Sequence, residues 1–202
     1  MREDLADADI LALCQPLDQQ LAWRYVAYKY LLQADPEARR PLSQVGSLRG
    51  GGRYNVGLNL SEHHQPFGAI YTSFEAETAT QEMRFPQAEE TPYMLFPLRA
   101  TLERVLDLRN GEVIQALDLD EKKLYGDWRE RSKILGLLAY PQQVGVRLFD
   151  AGVEAILTHS VAAEKLGTNL TIYPGNLAGD SRVSVSADID DPTVVDVLVP
   201  RA

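Results

Sequence analysis

Cysteine is nearly absent from this chain: Cys14 is the only one in 202 residues, so no intrachain disulfide can form. Its neighbours Leu13 and Gln15 supply no base to activate a thiol, and Cys14 reads as a bystander rather than a nucleophile. Long apolar runs are also missing. None approaches the ~18 residues a membrane helix needs, and the opening Met1-Arg2-Glu3-Asp4 lacks the apolar core of a secretion signal. The expectation is a cytoplasmic protein with no membrane partner. Basic residues are in deficit, 20 Lys and Arg against 29 Asp and Glu, for a net charge of −9. Such a surface repels the nucleic-acid backbone, which excludes direct DNA or RNA binding as an expectation, leaves room for a local basic pocket holding a small anion, and offers an acidic face to a protein partner. His63-His64 and the distant His159 have no Cys or carboxylate at ligand spacing, so no metal is expected. Walker, GxGxxG and GxSxG sequences are all missing, which sets aside the ordinary nucleotide folds and the hydrolase elbow.

What is present suffices for one folded domain. A chain of this length, 45% hydrophobic and 24% charged, buries roughly two thirds of its unfolded surface. Apolar spacing predicts a short helix over Ala6–Leu17, a strand over Leu21–Val26 and a loop over Asp35–Arg53, where two prolines and four glycines fall. A strand at Ala69–Ser73 precedes a helix over Glu75–Phe85. Two strands, Tyr93–Leu98 and Leu102–Leu108, are followed by a helix over Gly111–Leu117. A mostly helical stretch runs from Arg129 to Phe149, with Pro141 starting, kinking or breaking a segment there. Strands at Val153–Leu157, Asn169–Tyr173 and Val194–Val199 complete the pattern, and the acidic Asp188–Asp191 reads as a solvated turn. Strands and helices mix without a βαβ repeat, so the class expected is α+β: a mixed β core with surrounding helices.

Four places carry possible chemistry. Gly50-Gly51-Gly52-Arg53-Tyr54-Asn55 combines backbone freedom with a guanidinium able to clasp a phosphate; alone such a stretch is more often just a flexible turn. Arg24, among Trp23, Tyr25 and Val26, is costly to bury unpaired, which means either a structural ion pair or an anion contact at the floor of a cleft. Tyr71 at the end of one strand and Glu82 on the following helix can face each other across a cleft, or be core and solvated surface respectively. Ser160, after Thr158-His159, is a natural helix N-cap in Ser160-Val161-Ala162-Ala163-Glu164, a hydroxyl for a ligand, or both. Adjacent residues on an extended chain point apart, so His159 and Ser160 form no hydrolytic dyad.

In this order the pieces resemble the RES domain family, named for its arginine, glutamate and serine. The match runs through Trp23-Arg24-Tyr25, Gly51-Gly52-Arg53-Tyr54-Asn55, Ile70-Tyr71, Glu82 and Ser160. Tyr54 stands where tryptophan is more usual. Leu124-Tyr125-Gly126-Asp127-Trp128, Gly152 to Leu157, Asn169 and Pro174 extend it, over about residues 20–178. The segments outside are read as an N-terminal helical extension, 1–19, and a C-terminal strand or tail packed on the domain, 179–202.

The resemblance implies an ADP-ribosyltransferase-like fold and a toxin encoded beside an antitoxin of Xre type, which blocks the cleft. It implies NAD+ as substrate, with no metal, its nicotinamide–ribose bond broken by hydrolysis or phosphorolysis. An alternative branch transfers ADP-ribose to a protein, and a further alternative is a non-catalytic nucleotide-binding module; a homodimer is also compatible. The implied catalytic set is Glu82, Arg53, Tyr71 and Ser160, and the implied NAD+-binding set is Arg24, Tyr25, Arg53, Tyr54, Tyr71 and Asn169. Glu82 would hold a ribose hydroxyl and stabilise the oxocarbenium-like ribosyl cation. Arg24 and Arg53 would grip the pyrophosphate, Tyr71 and Tyr25 would frame the nicotinamide, and Ser160 with Asn169 would meet its amide or the ribose.

Overall fold

The computed structural model describes residues 1–202 apart from 3, 85–91, 164–165, 188–189, 191–192 and 201–202. After a short helix α1 (Asp7–Leu11), strand β1 (Gln15–Ala27) leads through α2 (Tyr28–Leu31), α3 (Pro36–Arg39) and α4 (Val45–Gly50) to β2 (Ile70–Ser73). Helix α5 (Ala76–Arg84) and the long β3 (Tyr93–Asp107) follow, then α6 (Gly111–Ala116), α7 (Glu121–Tyr125) and α8 (Tyr140–Asp150). The chain closes with β4 (Ala155–His159), β5 (Thr168–Ile172), β6 (Arg182–Ser186) and β7 (Val194–Leu198). This is the α+β class expected: a β core with helices around it.

The strands form one sheet in the order β1-β2-β5-β4-β3-β6-β7, and β1 also pairs with β3. That extra pairing turns five strands into a closed circuit, with β6 and β7 as a flap on β3. Inside lie Ala22, Ile70, Leu98, Ala100, Ala155, Leu157, Leu170 and Ile172, one core cluster drawn from all five strands. Strand alternation sends the other residues to the outer face. There Leu106, Ile156 and Tyr173 pack against Val113, Leu117, Leu124, Val144 and Leu148 from the helices, a second core. Each buried leucine or valine stabilises the fold by about 1.5–3 kcal/mol relative to exposure.

Several elements depart from the sequence expectations. Helix α1 stops at Leu11 rather than Leu17, and β1 begins at Gln15, inside the segment read as a helical extension. Pro16 explains it, since a helix interior cannot accommodate its missing N–H and ring. The loop expected over Asp35–Arg53 holds α3 and α4; Asp35 caps the former, its carboxylate accepting the Glu37 N–H at 3.0 Å, with Pro36 in the first turn. The two strands expected between Tyr93 and Leu108 are one, because β6 pairs only from Leu98 onward and leaves Pro97 at an open edge. Pro141 starts a segment: it sits in the first turn of α8, while a separate π-helical turn occupies Glu130–Ile134. Strand β6 was not anticipated. Phe85, the end of the expected α5, and Asp188, Ile189 and Asp191 of the acidic stretch lie outside the described residues.

Candidate active site

The Gly51–Asn55 segment is a built structure rather than a flexible turn. Gly51 holds a φ of 65°, and a Cβ on Gly52 would collide with the Tyr71 hydroxyl. That hydroxyl accepts the Tyr54 N–H at 3.1 Å and donates to Asn55 Oδ1 at 2.9 Å. Buried Asn55 donates through Nδ2 to the Ser47 and Phe67 carbonyls at 3.0 and 2.8 Å. Gln142 Nε2 donates to the Gly52 carbonyl at 3.0 Å, and the Tyr173 hydroxyl to the Tyr54 carbonyl at 3.1 Å. Two glycines, an asparagine and two tyrosines thus fix where Arg53 leaves the backbone.

Register on the sheet assembles the opposite wall. Trp23 on β1 faces Ser73 on β2, Ser73 faces Asn169 on β5, and Asn169 faces Thr158 on β4. Tyr71 and Thr171 form the next such pair on the same face. Helix α5 lies against this face through buried Thr78 and Ala79. It approaches closely because a side chain at Gly167 would strike Thr78. One turn on, at i+4 and i+3, the helix presents Glu82 in the same direction.

Glu82 Oε1 accepts a hydrogen bond from the Ser160 hydroxyl at 2.7 Å and another from Asn169 Nδ2 at 2.6 Å. The Ser73 hydroxyl donates to Asn169 Oδ1 at 2.7 Å, which fixes the orientation of that amide. Ser160 is fully buried, and its oxygen also accepts the Ala163 N–H at 3.0 Å. Both readings of Ser160 therefore meet in one atom, the cap-like turn and the functional hydroxyl. The Glu164 end of the expected capping motif lies outside the described residues.

Glu82 sits where two cavities meet. A small pocket of about 90 Å3 is lined by Trp23, Tyr54, Thr158, His159 and Asn169, among others, and Tyr54 is nearly fully buried there. The Tyr54 hydroxyl lies near Thr158 without completing a hydrogen bond, and burial pushes it far above its ordinary range. Burial likewise raises Tyr71. A larger cleft of about 600 Å3 shares Tyr25, Arg53, Tyr71, Glu82 and Val161 with the pocket and adds Arg24, Arg40, Arg49, Arg129 and Trp128. Among the described residues five arginines and one carboxylate line this cleft, an excess of basic side chains in a chain of net charge −9.

These arginines differ in what they do. Arg53 Nη1 donates to the Leu124 and Gly126 carbonyls at 3.2 and 2.9 Å, so part of its guanidinium closes the end of α7. Arg40 pairs with Asp196 at 2.7 Å and with Glu37 at 3.0 Å. Arg129 stacks on Trp128, 5.3 Å from the ring centroid, and burial together with the charge of Arg53 lowers it. Lys133, also over Trp128, donates to the Gly50 carbonyl and is lowered by burial and by Arg129. Arg24 Nη2 donates to the Ser43 carbonyl at 2.6 Å, but Nε and Nη1 are buried without partners among the described residues. Burial pulls it down to about 10, partly offset by Asp196, which leaves a full cation at neutral pH. It projects from the face of β1 opposite Tyr25, whose ring stacks on Tyr93 at 4.3 Å.

All of the residues expected at the site, Arg24, Tyr25, Arg53, Tyr54, Tyr71, Glu82, Ser160 and Asn169, border these cavities or bond directly to a residue that does. Sequence reasoning missed Ser73, Thr158, Arg40, Arg49, Trp128 and Arg129. Only the sheet register, which places Ser73 and Thr158 beside Asn169, signals the first two.

A family model for the RES domain matches residues 21–194, most of the chain. The chain belongs to the RES domain family. No curated protein matches it. Among solved structures it is similar to a chain in the crystal structure of the M. tuberculosis MbcT–MbcA toxin–antitoxin complex, with 24% identity over 82% of this chain and 80% of that one and a TM-score of 0.56. At that identity the likeness is one of fold. The RES match continues through β6 to the start of β7, beyond the limit of about residue 178 that the motifs alone suggest. Among the described residues no helix is long and apolar enough to cross a membrane, and no three His, Cys, Asp or Glu side chains gather as a metal site would require.

Proposed function

We propose that this chain cleaves the nicotinamide–ribose bond of NAD+, passing ADP-ribose to water or phosphate, and that it is the toxin of a toxin–antitoxin pair. One observation carries the catalytic reading: Glu82, oriented by Ser160 and Asn169, stands at the junction of a small aromatic pocket and a large arginine-lined cleft. A dinucleotide has the same division, a flat ring joined through ribose to an anionic pyrophosphate.

The chemistry follows from the donor set. With Oε1 taken by Ser160 and Asn169, Oε2 faces the substrate and accepts a ribose hydroxyl. As the C1′–N1 bond breaks, its electron pair passes to the pyridinium nitrogen and releases neutral nicotinamide, so this departure needs no acid. Positive charge grows on the ribose, and the fixed carboxylate stabilises it where water is excluded. An oxygen of water or phosphate then bonds to C1′, a water giving up one proton to solvent as it does so. Tyr54, Tyr71 and Trp23 supply apolar surface for the ring, and Tyr25 borders it. Arg24 offers two unpartnered donors to the pyrophosphate, with Arg129 and the free side of Arg53 completing the grip. Tyr71 acts through its ring, since its hydroxyl is committed to the Gly51–Asn55 loop.

Family membership and the fold shared with the MbcT–MbcA structure support the toxin reading. The partner proposed is an antitoxin of Xre type that covers the cleft. Purified protein incubated with NAD+, with and without phosphate, and followed by chromatography tests the reaction. Nicotinamide release is the expected result. Dependence on phosphate identifies phosphorolysis, label appearing on lysate proteins identifies transfer instead, and no release under any condition removes the enzymatic reading.

A further inference from the structure

The family match ends at Val194, yet two residues later β7 carries a buried carboxylate that reaches the arginine cleft. Asp196 Oδ1 accepts from Arg40 Nε at 3.0 Å and Nη2 at 2.7 Å, and Oδ2 accepts the Leu42 N–H at 2.8 Å. Arg40 Nη2 also donates to the Val197 carbonyl at 3.0 Å. The Asp196 side chain is only 6% exposed. Two guanidinium donors and two backbone amides, those of Leu42 and Val197, meet this carboxylate and leave the segment from Arg40 to Leu42 little freedom. The next residue, Ser43, supplies the carbonyl to which Arg24 Nη2 donates.

From this chain of contacts we infer that Asp196 is a positioning residue for the anion-binding arginine: the C-terminal strand sets where Arg24 offers its unpartnered donors to the substrate's pyrophosphate. This rests on the NAD+ reading of the cleft. Asp196 touches no substrate in this account. Its carboxylate holds Leu42 and Arg40, these hold the Ser43 carbonyl, and that carbonyl aims Arg24. Strand β7 is pinned on its other side by pairing with β6, Asp196 lying opposite Val185, so the anchor is tied to the sheet itself.

The sign of the effect separates positioning from simple charge. Removing a negative charge beside an anion site tightens anion binding by Coulomb's law alone. Loss of position weakens it. Asp196→Asn is suited to the test because it keeps an oxygen for the Leu42 N–H and nearly the same volume, while turning a donor toward Arg40. Binding of ADP-ribose and of inorganic pyrophosphate, measured by titration calorimetry on the full chain, is expected to weaken about ten-fold, with kcat for nicotinamide release within about three-fold of wild type. In an Arg24→Ala background the same substitution should produce no further loss, the signature of action through Arg24. Unchanged or tighter binding in Asp196→Asn overturns the inference, as does an undiminished loss when Arg24 is absent. Wild-type protein that binds neither probe overturns the NAD+ reading first, and this inference with it.

Discussion

The small pocket and the large cleft differ in how completely their polar groups are satisfied. Around Glu82 the hydrogen bonds close on themselves: Ser73 holds Asn169, Asn169 and Ser160 hold Glu82, and the Tyr71 hydroxyl bridges Tyr54 and Asn55, while the neutral Tyr54 hydroxyl stays unbonded in the pocket among the described residues. In the cleft, Arg24 keeps two buried donors without partners, and the charges of Arg53 and Arg129 oppose one another. A satisfied network avoids the penalty of unpaired buried groups and, on the proposed reading, keeps one carboxylate aimed where charge would develop. Unpartnered buried donors cost stability, and the proposed pyrophosphate contact would relieve that cost at Arg24. On the proposed reading, chemistry and grip fall to different parts of one site.

Substitutions should separate those two parts. The largest effect is expected from Glu82→Gln, which keeps shape and hydrogen bonding but removes the stabilising charge. Nicotinamide release should fall by about 10²–10³ in kcat with little change in KM, as measured by steady-state kinetics. Arg24→Ala should do the reverse: KM rises by about ten-fold or more, as loss of one charge-assisted contact implies, while kcat stays within a few-fold. Its residual binding should also weaken less steeply with added salt than that of the wild type. If either variant moved the other's parameter, the division between pocket and cleft would be wrong.

The smaller effects sharpen the comparison. Asn169→Ala removes one of the two hydrogen bonds that orient Glu82 and leaves its charge. A several-fold loss in kcat is expected, well short of that of Glu82→Gln. Gly52→Ala should act mainly on stability, because the added methyl meets the Tyr71 hydroxyl that secures the loop. Denaturant unfolding should show a loss of about 1–3 kcal/mol, and activity per folded molecule should fall only as far as Arg53 is displaced.

Much of the pocket side was legible in the sequence, because its elements announce themselves locally. The apolar run that holds Trp23 and Tyr25, the strand ending near Tyr71, the helix that carries Glu82 and the strands before Ser160 and through Asn169 all have short-range signals. Each residue alone kept an ordinary reading, and only the ordered set pointed to a family. The cleft side was far less legible. Arg40 directly follows one helix and Arg49 lies on another, within a segment whose glycines and prolines read as loop, although Asp35-Pro36 is a helix-start signal in plain view. Arg129 and Trp128 come from a segment distant in sequence and reach the site only through tertiary packing. The full length of β3 was hidden by Pro97, which is tolerated only because β6 begins pairing one residue later. Asp196 had no sequence signal at all: an aspartate among valines on a terminal strand gains its meaning from an arginine 156 residues away.

The most direct test of the central claim is the kinetics of nicotinamide release from NAD+ by wild type, Glu82→Gln and Arg24→Ala, compared at equal folded concentration. The account predicts turnover by wild type, a collapse of kcat in Glu82→Gln and a raised KM in Arg24→Ala. Wild-type protein that releases no nicotinamide, or a Glu82→Gln variant that turns over as fast as wild type, would contradict it.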